Sequence, residues 1–169
     1  LAVFLPTAFL GGINISSVYS SGSATGSSEK PNSATEGWRD TNLELRGPAV
    51  AQFQRLFIAS WQKQSCPSLV ARTYFPTLAS HGDKVVQILG SSPDDDPGLA
   101  YLAFLSAIRE SQQSVYVTMA YFVPDQEMRT ALEDAARRGV DVQLILPGFS
   151  DFWVVHEAGR SYYGELLAA

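Results

Sequence analysis

The sequence predicts an α/β fold with a mixed, largely parallel sheet flanked by helices, and three observations carry that prediction. Short apolar runs alternate with longer stretches in which apolar residues recur every three or four positions. A strand, a helix and a second strand fit within about 33 residues ending at Leu146, the size of a βαβ unit and therefore of parallel pairing. With 46% apolar and 17% charged residues in 169, the composition is that of a globular chain able to bury a core.

Taken in order, the apolar stretch Leu1–Leu10 lacks the basic flank and small-residue cleavage pattern of a secretory signal, so it reads as a strand entering a Gly11-Gly12 turn. From Ser16 to Glu36, eight of 21 residues are Ser and none is Leu, Ile, Phe, Met or Trp. That composition predicts a flexible surface loop. Structure is expected to resume at Trp38, with Leu43 and Leu45 alternating in a short strand that ends at Gly47-Pro48. Pro48 suits a first helical position, and Val50, Phe53, Leu56, Phe57 and Trp61 then follow at helical spacing. Pro67, Pro76 and Gly82 interrupt the next stretch too often for a long element, which places a domain boundary near residue 83.

Beyond it, Lys84–Leu89 reads as a buried strand, and Ser92–Asp96 supplies capping and acidic residues for a helix bearing Leu99, Leu102, Leu105 and Ile108. Val115–Ala120 is the next strand. Asp125–Arg138 is a helix with Met128, Leu132 and Ala135 on one side and Gly139 as its stop. Val140–Leu146 follows as a strand, and a last helix runs from about Asp151 to Ala169.

Charge and composition exclude several functions. Residues 1–80 carry six Lys/Arg against four Asp/Glu, and residues 81–169 six against thirteen, so neither half offers the basic stripe that nucleic acid requires. One cysteine, Cys66, excludes a disulfide framework, and with His81 and His156 it cannot close a tetrahedral zinc site. No apolar run approaches the length of a membrane span. Gly-x-Gly-x-x-Gly, the Gly-x-x-x-x-Gly-Lys loop and the Gly-x-Ser-x-Gly elbow are all absent. His81 and His156 have no marked partner nearby and read as surface or packing histidines rather than catalytic bases.

Six strings are more specific: Gly11-Gly12-Ile13-Asn14; Gly37-Trp38-Arg39-Asp40-Thr41 with Arg46-Gly47-Pro48-Ala49-Val50; Ala120-Tyr121-Phe122-Val123-Pro124-Asp125; Arg138-Gly139-Val140-Asp141-Val142; Leu144-Ile145-Leu146-Pro147; and Arg160-Ser161-Tyr162-Tyr163. In this order they resemble the phospholipase D superfamily, and within it the bacterial cardiolipin synthases. That family's signature, present twice, is His-x-Lys, four residues, Asp, six residues, Gly-Gly or Gly-Ser, one residue, Asn. Counted back from Asn14, the Asp would fall at position 4, which is Phe4, and the second signature would begin beyond Ala169. The resemblance therefore implies an internal segment: residues 1–83 as the C-terminal part of a first repeat, 84–169 as the N-terminal part of a second.

For the intact relative, the resemblance implies transfer of a phosphatidyl group between phospholipids, without a metal or organic cofactor. One His attacks phosphorus to give a phosphohistidine, the other protonates the leaving alcohol, and Lys and Asn stabilise the developing charge. It further implies a phospholipid substrate, the remainder of the two-repeat protein as partner, and peripheral or anchored attachment to the cytoplasmic side of the bacterial inner membrane. Of the catalytic set only Asn14 is present, so the chain alone is expected to be inactive. Gly11, Gly12, Arg39, Asp40, Tyr121 and Phe122 are the implied substrate-binding residues. Each also has a plainer reading: Asn14 as a turn residue, Arg39 and Asp40 as a surface ion pair, and Tyr121, Phe122 and Pro124 as packing at a strand end. The stripe Phe53, Leu56, Phe57, Trp61 reads as core rather than a lipid groove. A phospholipase D-type phosphodiesterase acting on lipid or nucleic acid, and a non-catalytic α/β interaction module, remain the alternatives.

Overall fold

The computed structural model describes residues 2–4, 6–13, 15, 40–70, 74–92, 94, 97–148 and 150–169. The expectations for the serine-rich stretch 16–36, for Asn14 and for Trp38 and Arg39 lie outside these residues. The chain divides into two compact units, Leu1–Gly90 and Ser91–Ala169.

In the first unit, β1 (Ala2–Phe4), β2 (Thr7–Gly11) and β3 (Asn42–Arg46) form an antiparallel sheet in that order. Phe4 lies opposite Thr7. The expected single N-terminal strand is thus a hairpin that reverses at Pro6, whose ring fixes φ and which has no N–H for a continuing ladder. Ala8 pairs with Leu45 and Leu10 with Leu43, which puts these four residues on one face. Helix α1 (Val50–Lys63) covers only the Ala8–Leu45 end, through the buried side chains Val50 and Phe53. Of the expected core stripe, Phe53 is buried, Leu56 and Trp61 are half-buried and Phe57 is exposed. Further along, Trp61 donates its indole N–H to the Pro67 carbonyl at 2.7 Å.

Lys84–Leu89, expected as a strand, joins no ladder. Val85 is fully exposed, whereas Ile88 packs on the Ala8–Val50–Phe53 cluster. Gly90 follows in close contact with α1, where a Cβ would come within 2.7 Å of Leu56 Cδ2. An apolar run of this length specifies burial without specifying hydrogen-bond partners, and here the burial is against α1 and β2 of the first unit.

The second unit contains α2 (Leu99–Glu110), β4 (Ser114–Thr118), α3 (Gln126–Arg137), β5 (Asp141–Ile145), α4 (Trp153–Arg160) and α5 (Tyr163–Ala168). Strands β4 and β5 pair in parallel, from Ser114 opposite Asp141 to Thr118 opposite Ile145, as the βαβ spacing predicts. The fold is therefore mixed α/β, with its described strands in two small sheets, one antiparallel and one parallel. The core comprises Leu105 and Ile108 of α2, Ala131, Leu132 and Ala135 of α3, and Phe122 and Val140 from the flanking loops. Leu99 and Leu102, expected on the buried face of α2, are exposed.

Local chemistry fixes the helix ends. Asp125 caps α3 by accepting the Met128 N–H at 2.8 Å, and Gly139 stops it at φ +88°, a left-handed conformation that glycine adopts without strain. The N-cap of α2 is Gly98, which has no side chain to accept a bond, and of the expected capping stretch Ser92–Asp96 only Ser92 and Asp94 are among the described residues. The last helix is two helices. Ser161 Oγ donates to the Ala158 carbonyl at 2.6 Å and the Tyr162 N–H turns to Gly159 at 3.1 Å, tightening the chain into a turn between α4 and α5. Arg129 on α3 holds α5 by pairing with Glu165 at 2.7 Å while lying 4.3 Å from the Tyr162 ring centroid.

Candidate functional site

Within the first unit, the end of the β2–β3 ladder brings three of the expected residues together. Gly11 lies opposite Asn42, and a Cβ on Gly11 would overlap Asn42 Oδ1 and sit 2.8 Å from the Thr41 carbonyl. A Cβ on Gly12 would lie 2.5 Å from Asp40 Oδ1. The two glycines are therefore what allows the polar side chains of Asp40 and Asn42 to close over the turn backbone. Asn42 was missed at the sequence level because only the strand register reveals it as the partner of Gly11. Asn14 and Arg39, the other expected residues of this region, are outside the described residues.

On the same unit, a groove of about 640 Å³ is lined by Arg46, Gln52, His81 and Lys84 with Glu44 at hand. Its cations are partly answered: Arg46 Nε pairs with Glu44 at 2.6 Å and Lys84 with Asp83 at 3.4 Å.

In the second unit the expected residues part company. Tyr121, just past the C-terminal end of β4, donates its hydroxyl to Asp151 Oδ1 at 2.7 Å and meets the Phe152 ring edge-on, with centroids 5.8 Å apart. Phe122 is a core residue, 7% exposed and packed among Leu105, Leu132 and Val140, so the geometry gives its side chain the packing role. Its carbonyl lies where a Cβ on Gly159 would be, which explains the glycine inside α4. His156 is largely buried, with Nε2 3.3 Å from the Pro147 carbonyl and Nδ1 3.3 Å from Glu157. It braces the loop after β5. A separate groove of about 820 Å³ runs along β5 between α3 and α5 and is lined by Leu132, Val142, Leu144, Tyr163 and Leu166 with Arg160 at one side.

Two tyrosine–carboxylate pairs shape the electrostatics of this unit. Tyr101 donates to Asp125 Oδ2 at 2.7 Å, which pushes the phenol up to about 12. The Met128 N–H and the Tyr101 hydroxyl together hold the Asp125 carboxyl below its ordinary value. Likewise Tyr116 donates to Asp141 Oδ2 at 2.6 Å, raising the phenol and, with Gln143, lowering the carboxyl. Among the described residues no group of three His, Cys, Asp or Glu side chains is arranged to hold a metal ion, and no helix is long and apolar enough to cross a membrane.

Residues 104–169 match the family model described as cardiolipin synthase, PLD-like domain. Cardiolipin synthase of Alkalihalophilus pseudofirmus is 37% identical over 134 residues, covering 78% of this chain and 27% of the relative. Cardiolipin synthase of Geobacillus kaustophilus is 34% identical over 163 residues, 95% of this chain and 31% of the relative. Cardiolipin synthase 2 of Bacillus cereus is 33% identical over 163 residues, 95% of this chain and 30% of the relative. The chain thus spans less than a third of the length of these curated relatives. No solved structure matches it. On these similarities the chain is cardiolipin synthase-like over most of its length, and its residues 104–169 are similar to a PLD-like domain, with which its mixed α/β fold is consistent.

Proposed function

We propose that these residues serve within a phosphatidyltransferase resembling cardiolipin synthase, which moves a phosphatidyl group between phospholipids through a phosphohistidine. The similarity to proteins named cardiolipin synthase, running over as much as 95% of this chain, carries the reading. In it, residues 1–83 are the later part of one phospholipase D-like repeat and 84–169 the earlier part of the next, and each repeat supplies one histidine.

The turn at Gly11-Gly12 gives the reading its physical content. In this reading Asn14, two residues on from Gly12 in the sequence, answers the charge that develops on the phosphoryl oxygens. In the same reading Arg39 and Asp40 meet the head group. Tyr121 lies at the C-terminal end of a parallel strand, the end at which open α/β sheets hold ligands. Its hydroxyl, steadied by Asp151, faces the lipid head group. The enzyme works at the bacterial inner membrane, from its cytoplasmic side, and needs neither metal nor organic cofactor.

The coding sequence on either side of the chain tests this directly. It should contain His-x-Lys shortly before the Gly11 strand, with Phe4 standing where the family has Asp, and His-x-Lys-x4-Asp after Ala169. The protein so extended should form cardiolipin from phosphatidylglycerol, while residues 1–169 alone should not. Release of free phosphatidic acid without transfer would favour a hydrolytic phospholipase. Activity of the 169-residue chain that disappears on His81→Ala or His156→Ala would overturn the assignment of the chemistry.

A further inference from the structure

Three consecutive large apolar residues, Phe152, Trp153 and Val154, open α4 at 60, 73 and 59% exposure, and Tyr121 and Val123 beside β4 are 44 and 48% exposed. These residues follow the C-terminal ends of both parallel strands, and the Tyr121–Phe152 ring contact joins the two loops into one patch. Its surroundings are short of charge: residues 111–124 contain no charged side chain, and residues 142–155 contain only Asp151. That carboxylate is already engaged by the Tyr121 hydroxyl. The space enclosed behind the patch, between Tyr121, Phe122, Pro147 and His156, is about 10 Å³, too little for even a small ligand. The patch is thus a contact surface rather than a pocket.

We propose that this aromatic tip enters a phospholipid surface, at the boundary between glycerol and acyl chains. The inference rests on the phospholipid substrate proposed above, since a substrate anchored by acyl chains brings the ligand end of the strands to a lipid interface. Trp and Tyr, each an apolar ring with one polar edge, are the side chains that settle at that depth. The chain carries a formal charge of −5, so attraction to anionic lipid does not drive the contact, and apolar burial does.

Sedimentation of the 169-residue chain with phosphatidylcholine vesicles, and separately with phosphatidylglycerol vesicles, tests the proposal without any phosphoryl chemistry. Failure here therefore leaves the transferase reading standing, and absence of transfer leaves this one standing. Both vesicle types should bind, with little change between low and high salt. The double variant Phe152→Ser/Trp153→Ser should lower partitioning about tenfold or more. Phe104→Ser, which removes an exposed ring of α2, should not. Trp153→Phe should still bind, but should lose the tryptophan quenching that acyl-brominated phosphatidylcholine produces in the parent chain. Binding that is absent, suppressed by salt, or indifferent to the double variant overturns the proposal. So does a patch that the double variant shows to hold two copies of the chain together without affecting vesicles.

Discussion

Replacing Asp125 with Ala should cost the second unit about 1–2 kcal/mol at neutral pH. The carboxylate answers two groups at once: Oδ1 takes the Met128 N–H, one of the unpaired donors in the first turn of α3, and Oδ2 takes the Tyr101 hydroxyl from α2. Loss of an N-cap acceptor alone costs about 1 kcal/mol, and the severed tie between α2 and α3 adds to it, moderated by solvent screening at this exposed site. Asp125→Asn keeps a carbonyl oxygen for Met128 while giving up the charge, so it should recover most of the cap. The pH dependence separates these contributions. A carboxyl held below its ordinary value in the fold stabilises at pH above the unfolded value, about 3.9, and that stability fades as pH falls through the folded value. Urea midpoints followed by far-ultraviolet circular dichroism should therefore show the gap between the parent chain and Asp125→Ala narrowing below about pH 4, whereas Asp125→Asn runs parallel to Asp125→Ala throughout. Equal stability of the parent and Asp125→Ala at pH 7, or a gap that widens in acid, would refute this account of the cap.

Other perturbations reach different parts of the fold. Leu132→Ala, at a core position 2% exposed, should lose about 2–5 kcal/mol in the same assay, while Phe104→Ala on the exposed side of α2 should change stability little. In Gly159→Ala the new methyl meets the Phe122 carbonyl, so the variant should have a lower midpoint despite the better helix propensity of alanine. In alkaline titration followed near 295 nm, Tyr101 should ionise late, at about 12, and Tyr101→Phe should remove that step. The stability this phenol contributes is present below its unfolded value of about 10 and is lost as pH rises through the folded one.

Legibility in the sequence followed the range of each signal. The parallel pair β4–β5 and helix α3 could be read because their determinants are local: an Asp cap, a Gly stop and apolar periodicity between two short runs. Lys84–Leu89 misled because an apolar run specifies burial and says nothing of which element receives it. The hairpin at Pro6 and the break at Ser161 depend on single residues, a proline ring and a serine hydroxyl, that hydropathy averages over. At the candidate site, Gly11 and Gly12 were visible as a pair, but their partner Asn42 lies across a ladder whose register no local pattern encodes. Tyr121 and Phe122, adjacent in one motif, went to opposite environments because the loop after β4 sends one ring to Asp151 and Phe152 and the other into the core, a choice made by tertiary contacts and not by local pattern.

The two sheets differ in what closes them. Each β4–β5 pair joins residues about 27 positions apart, and α3 fills that interval with a helix whose Leu132 and Ala135 are buried on the way. Formation of the parallel pair and docking of the helix therefore reinforce one another. In the first unit, pairing Gly11 with Asn42 must close across a connection that contains eight serines in residues 16–36 and few apolar groups. The closure entropy falls on a five-residue ladder and on Val50 and Phe53. Folding should accordingly start in the second unit, and the β2–β3 pairing should set the pace of the first. Halving the length of that connection would stabilise the first unit by about 0.6 kcal/mol and quicken its folding while leaving the second unchanged.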